Sequence, residues 1–283
     1  MLDYTSYWSF SDHLDDFSPI SNVNKHEIIS ISVARTKRED DCFEIYRTDA
    51  CGGKLIQVSD PLHLNIVHAL SEQPLSTTEI AEKVGKPQST LSVHLDEMVR
   101  QSLIGFEFDR FDSRRKIYSL TSRLVAKSQE SNEIGRTELR RFMDEATTSK
   151  DPFYKTLMIA MILSSESGGL DISNWMRSLG EGFAESLFKG STSLKVEDVI
   201  RELQEFYEKN SLGEVCIYTF LPLTIIIRNG DEFMYKMESM AAFSHGMFTT
   251  ALTKVTGTSY RIAKSEIFGT GNNYYKFILE SVK

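Results

Sequence analysis

Gln88, Ser89, Thr90, Ser92 and His94 lie within seven residues of one another, and each side chain can both donate and accept hydrogen bonds. Between and after them run Leu91, Leu95, Met98 and Val99, spaced i, i+4, i+7 and i+8 as one buried stripe of a helix. A helix with such a stripe and a short polar face opposite has the chemistry to read base edges in a major groove. Further on, Arg110, Arg114, Arg115 and Lys116 crowd the bend at Asp112-Ser113, between strand-like runs Ile104–Phe108 and Ile117–Leu120. A basic hairpin beside the polar helix suits a wing resting on phosphates. The set therefore implies contact with double-stranded DNA: Gln88, Ser89, Thr90 and Ser92 for bases, the hairpin cations for phosphates. His94, next to Leu95, faces either the DNA backbone or the domain core. The competing reading is a helical hairpin and ribbon used for protein contacts.

The elements that must hold these residues are also marked. Ser76-Thr77-Thr78-Glu79 spells a capping box, in which the Ser76 hydroxyl accepts from the Glu79 amide and the Glu79 carboxylate accepts from the Ser76 amide. Leu75 and Ile80 stand at staple positions, and Gly85 is placed to end this first helix in a left-handed conformation. Pro87 opens the second helix, where a missing N–H costs nothing. Asp60-Pro61 introduces an earlier helix over Leu62–Leu70. The string Pro87-Gln88-Ser89-Thr90-Leu91-Ser92-Val93-His94-Leu95 resembles the recognition helix of ArsR-family repressors, and Arg114-Arg115-Lys116-Ile117-Tyr118-Ser119-Leu120 resembles that family's wing. The resemblance covers residues 59–125 and implies a winged helix-turn-helix.

A chain of 283 residues with 41% apolar content, 17 Phe and 11 Tyr holds enough for two cores. No apolar run is long enough for a bilayer, and the start lacks the pattern of a signal peptide, so a cytoplasmic protein is expected. Three widely spaced cysteines, Cys42, Cys51 and Cys216, fit a reducing compartment. The net charge of −8 argues against nucleic acid until its distribution is considered. Residues 60–127 carry 9 basic and 9 acidic side chains, so the rest of the chain holds the whole excess.

Residues 1–58 lie outside the winged-helix pattern. Glu27–Val33 and Cys42–Tyr46 read as a β-hairpin with its charged tip at Thr36–Asp41, either a dimer or DNA arm or a covering flap. Ser122–Thr147 reads as a polar connecting helix or spacer, the connector proper being residues 126–150. From Phe153 the pattern is three helices (Tyr154–Leu163, Ile172–Phe188, Val196–Lys209), two strands, a helix over Met237–Thr253 and two more strands. Residues 151–283 thus form a second, α+β domain with helices on a small antiparallel sheet, and the whole chain is α+β. Gly180 and Gly182 are expected to let helices pack closely. Leu179-Gly180-Glu181-Gly182-Phe183-Ala184, Phe243-Ser244-His245-Gly246-Met247-Phe248, Glu266-Ile267-Phe268-Gly269 and Tyr275-Lys276-Phe277 resemble the 4-vinyl-reductase-type domain, a ligand-binding fold shared with TRAPP subunits. That resemblance implies a sensor of a small organic ligand.

Other chemistry finds little support. The zinc site that the second resemblance implies lacks its thiolates, Gly269 and Tyr275 or its neighbour standing in their place beside Glu266. The thiol and His/Asp ligands of ArsR-type metal sensors are missing from Ser76–Val84, and His63 and His68 do not share a helix face, so no metal or other cofactor is expected. Cys42, Cys51 and Cys216 leave a thiol-based redox response as an alternative to inert burial. No phosphate loop or nucleophile elbow is present, so no enzyme is expected. The reading is a homodimeric regulator whose sensor aromatics, Phe183, Phe206, Tyr218, Phe243, Phe248, Tyr260 and Phe268, either line a ligand cavity or form plain core.

Overall fold

The computed structural model describes residues 42–48, 53–131, 133–146, 153–191, 195–228, 238–268 and 274–282. In chain order its first elements are β1 (Glu44–Thr48), β2 (Leu55–Val58), α1 (Pro61–Glu72), β3 (Leu75–Ser76), α2 (Thr77–Val84), α3 (Gln88–Arg100), β4 (Ile104–Phe108), β5 (Lys116–Leu120) and β6 (Ser122–Ser128). Then come α4 (Glu133–Ala146), α5 (Phe153–Ser167), β7 (Leu170–Asp171), α6 (Ser173–Leu187) and α7 (Val196–Lys209). The last are β8 (Glu214–Phe220), β9 (Leu223–Arg228), α8 (Glu238–Thr256), β10 (Ser259–Phe268) and β11 (Tyr274–Val282). Every strand pairing is antiparallel, which makes the chain α+β. Among the described residues no helix is long and apolar enough to cross a membrane.

Two hydrophobic cores form. The first buries Ile66, Val67 and Leu70 of α1, Ile80 of α2, Leu91, Leu95 and Met98 of α3, and Tyr118 of β5. It also takes in Tyr46 and Val58, so β1 and β2 complete this body. Within it the sheet order is β3-β5-β4, with Leu75 opposite Tyr118 and Phe108 opposite Lys116. The second core lies between the helices α5 to α8 and a sheet of order β10-β11-β9-β8.

A third sheet, of order β2-β1-β6-β7, runs from one core to the other. The hairpin partner expected at 27–33 lies outside the described residues, and both edges of β1 are taken, by β2 and β6. Ser122–Ser128 is a strand, contrary to the helix expected from its polar composition. Its short run Leu124-Val125-Ala126 is locally ambiguous, and pairing with β1 along Glu44–Thr48 decides it. The helix begins only at Glu133.

In the second core α6 crosses α8 at two glycines. A Cβ on Gly180 would collide with the Phe243 carbonyl, and one on Gly246 with the Arg177 carbonyl. Gly182, expected to play the same part, has open space around it. Gly180→Ala and Gly246→Ala should each cost about 1–3 kcal/mol by overpacking. Gly182→Ala should instead gain about 0.5–1 kcal/mol by removing backbone freedom from a helix interior. Urea unfolding followed by circular dichroism checks both, and equal effects at positions 180 and 182 would contradict a glycine seam.

Candidate nucleic-acid interface

The capping box forms as its sequence requires. Ser76 Oγ accepts from the Glu79 amide at 3.4 Å, and Glu79 Oε2 accepts from the Ser76 amide at 2.8 Å. Gly85 ends α2 at φ 68°, ψ 33°, in the left-handed region that glycine adopts without strain. Pro87 is the N-cap of α3, just outside the first helical position. Its carbonyl accepts from the amides of Thr90 and Leu91.

Gln88, Ser89, Thr90 and Ser92 are all exposed on α3. Gln88 donates to Thr78 Oγ1 at 3.0 Å, tying the start of α3 to α2, and Ser92 donates to the Gln88 carbonyl at 2.9 Å. Val93, which the polar pattern passed over, is 67% exposed beside them. An apolar group on this face is what a thymine methyl would meet. Its only sequence signal is a β-branched residue off the buried stripe. His94 turns the other way, half-buried against α1, with its Nδ1 2.9 Å from His63 Nε2.

The wing places its cations in two different settings. Arg110 and Arg114 are exposed at the tip. The tip itself is tied by local bonds, with Asp109 accepting from the Phe111 amide and Asp112 from the Arg114 amide. Phe111 is fully exposed between the two arginines. Arg115, by contrast, reaches back to α2, donating to Ser76 Oγ and Glu79 Oε2, each at 3.1 Å, with Asp109 at 3.9 Å. It positions the wing and is less available to a phosphate than Arg110 and Arg114. Lys116 lies 4.4 Å over the Phe106 ring, a cation–π contact that holds it along β4.

One further cluster was not foreseen. The expectation of no metal compared His63 with His68, which instead pairs with Glu44 at 2.9 Å. The fold brings His94 of α3 to His63 and to Asp60, the N-cap of α1. Donor atoms of these three side chains all lie within 4.8 Å of one another. Asp60 Oδ1 accepts from the His63 amide at 2.9 Å, the main cause of its carboxyl sitting below the ordinary range. The histidines are 31 residues apart, so no local spacing could reveal the contact.

The described side chains among the seven candidate aromatics do not converge on one space. Phe183, Phe206, Tyr207, Phe243 and Phe248 touch in a chain with ring centroids 5.6–6.2 Å apart. Phe243 and Phe248 are core, and Tyr218 is exposed on β8. The side chain of Phe268 lies outside the described residues. An open cleft of about 550 Å³ does exist at the start of α7, and of the seven only Tyr260 lines it. Its other walls include Val196, Phe220, Leu221, Pro222, Leu223 and Leu279, with Glu197 and Glu280 as polar groups. Glu266 is held by Lys264 and Lys276. Burial and the nearby Glu214 push the Cys216 thiol up, away from the thiolate that a redox sensor needs. Cys42 is exposed, and Cys51 lies outside the described residues.

Residues 60–104 match the family model described as bacterial regulatory protein, arsR family. The match takes in α1, α2 and α3 and ends at the first residue of β4, so the wing lies beyond it. It identifies the segment as an ArsR-type helix-turn-helix, a module of DNA-binding transcriptional regulators. A solved structure of a vinyl-4-reductase family protein from Methanocaldococcus jannaschii aligns at 20% identity, covering 54% of this chain and 97% of that one, with a TM-score of 0.33. No curated protein matches.

The Glu79 carboxyl is held below its ordinary 4.5, first by the Ser76 hydroxyl and amide and then by Arg115. A depressed folded value contributes stability above the unfolded value, and that contribution is lost as pH falls through the folded one. Glu79→Gln should therefore be less stable than the parent chain at neutral pH, by roughly 0.5–1 kcal/mol after solvent screening. The gap should close as pH drops well below 4.5. Urea midpoints of both chains across that range check it, and a constant gap would contradict the assignment.

Proposed function

We propose that this chain is a homodimeric, DNA-binding transcriptional regulator whose C-terminal half senses a small organic ligand. The observation that carries the DNA reading is α3 presenting Gln88, Ser89, Thr90, Ser92 and Val93 beside a wing fixed to α2 through Arg115. α3 enters the major groove, and the wing tip carries Arg110 and Arg114 to the flanking backbone. Phe111 between them is the kind of apolar wedge that enters a minor groove.

Two features support the finer parts. The outer face of α6 carries Trp175, Leu179, Phe183 and Leu187 at steps of four, 36–52% exposed. A contiguous apolar stripe of this kind suits a second copy of the chain. The cleft beside α7 is mainly apolar with a few acidic and hydroxyl groups, which suits an apolar or aromatic ligand better than an anion. With the Cys216 thiol pushed up, an organic effector is the better reading than a redox one.

Mobility shifts on the chain's own promoter region test the DNA reading. Binding should weaken steeply with salt. Arg114→Ala should lower affinity for all sequences alike and reduce the salt slope by about one, whereas Gln88→Ala or Thr90→Ala should relax base preference by about 1–3 kcal/mol per lost contact. Arg115→Ala should lower stability as well as affinity, which separates its positioning role from Arg114. No shift at any salt would move the winged body to a protein-contact role.

Sedimentation of a Trp175→Glu/Leu179→Glu variant tests the dimer. The stripe reading expects monomers with an unchanged circular dichroism spectrum. A dimer that persists would place the interface elsewhere.

A further inference from the structure

Beyond the Asp60 cap of α1 and the contact between the two rings, the structure gives Asp60, His63 and His94 no further task, and they bring together two imidazoles and a carboxylate from α1 and α3. We propose that these three side chains form a binding site for one divalent transition-metal ion of the zinc or cobalt kind, which staples α1 to α3. The proposal stands apart from the DNA reading, because it needs only the approach of α1 and α3 at His63 and His94.

The geometry is close to what such an ion requires. Asp60 and His63 are three residues apart on the first turn of α1, so they share a face. His94 approaches that face from α3, its Nδ1 2.9 Å from His63 Nε2. Zn–N bonds of about 2.0–2.1 Å in a tetrahedron set two nitrogens about 3.3–3.4 Å apart. Entry of the ion thus asks for an opening of about half an ångström, within the reach of side-chain rotation. Asp60 uses Oδ1 to cap α1, which leaves Oδ2 for the ion. The two histidines are half-buried and Asp60 is exposed, so a water can reach the fourth position.

Donor chemistry selects the ion. Two imidazole nitrogens with one carboxylate suit zinc, cobalt or nickel, whereas calcium and magnesium prefer shells of oxygen.

The test titrates Co²⁺ and then Zn²⁺ into the untagged, chelator-treated full chain, read by visible absorption and by calorimetry. One ion should bind per chain, with Co²⁺ giving the visible bands of tetrahedral coordination and the ion raising the melting temperature. His63→Gln, His94→Gln and Asp60→Asn should each weaken binding roughly ten-fold or more, since loss even of a group behind a metal ligand costs 10–100-fold. Asn still caps a helix, so weakening at position 60 reports a lost ligand and not a frayed α1. His68→Gln, whose histidine pairs with Glu44, should bind as the parent chain does. No saturable one-to-one binding, or parental affinity in a His63→Gln/His94→Gln double variant, would overturn the site.

Discussion

The hydroxyl of Ser76 is the joint of the winged body. Ser76 is the last residue of β3, the N-cap of α2 and a partner of Arg115 from the wing, and it is 2% exposed. Each bond it makes is modest, about 1 kcal/mol for a helix cap and less for an exposed ion pair. Their value is positional. Leu75 before it and Ile80 after it enter the core, so the entry angle of α2 is fixed from below. Arg115 then fixes the wing to that same helix end from above. α3 follows α2 after Gly85, so the exposed polar side chains of α3 and the wing are referred to one joint.

That joint also shows how far local patterns reach. The capping box, the stripe of α3 and the two wing strands were readable because each depends on neighbours within a few residues. Arg115 was readable only as a cation. That it binds Glu79, 36 residues back, follows from the pairing of β3 with β5. Ser122–Ser128 went wrong for a related reason, since its strand character is imposed by β1. His63 and His94 meet because α1 and α3 bury their stripes in one core, and Gly180 needs Gly246 as its counterpart. Aromatic residue types alone could not separate the core of Phe243 and Phe248 from the wall of an open cleft, where Tyr260 stands.

The third sheet gives the two cores a shared element. β6 pairs with β1, whose Tyr46 enters the winged core, and also with β7, which stands just before α6. Gln129, one residue past β6, strengthens the link by bonding the Gly169 and Glu166 carbonyls at the end of α5. Glu166 in turn accepts from Ser239 of α8 at 2.6 Å, and burial pushes its carboxyl up. These bonds tie β6 to the end of α5 and, through Glu166, to α8. The glycine crossing packs α6 closely against α8, with no room for a Cβ at Gly180 or Gly246.

In the proposed complex α3 occupies a major groove while the wing lies on the adjoining backbone. Chemical footprinting of the full chain on its promoter tests this most directly, with dimethyl sulfate reporting guanine N7 in the major groove and hydroxyl radicals reporting the backbone. Two blocks of N7 protection should appear about one helical turn apart, each flanked by backbone protection on the wing side. Protection of the backbone alone, with every guanine N7 as reactive as in free DNA, would contradict it.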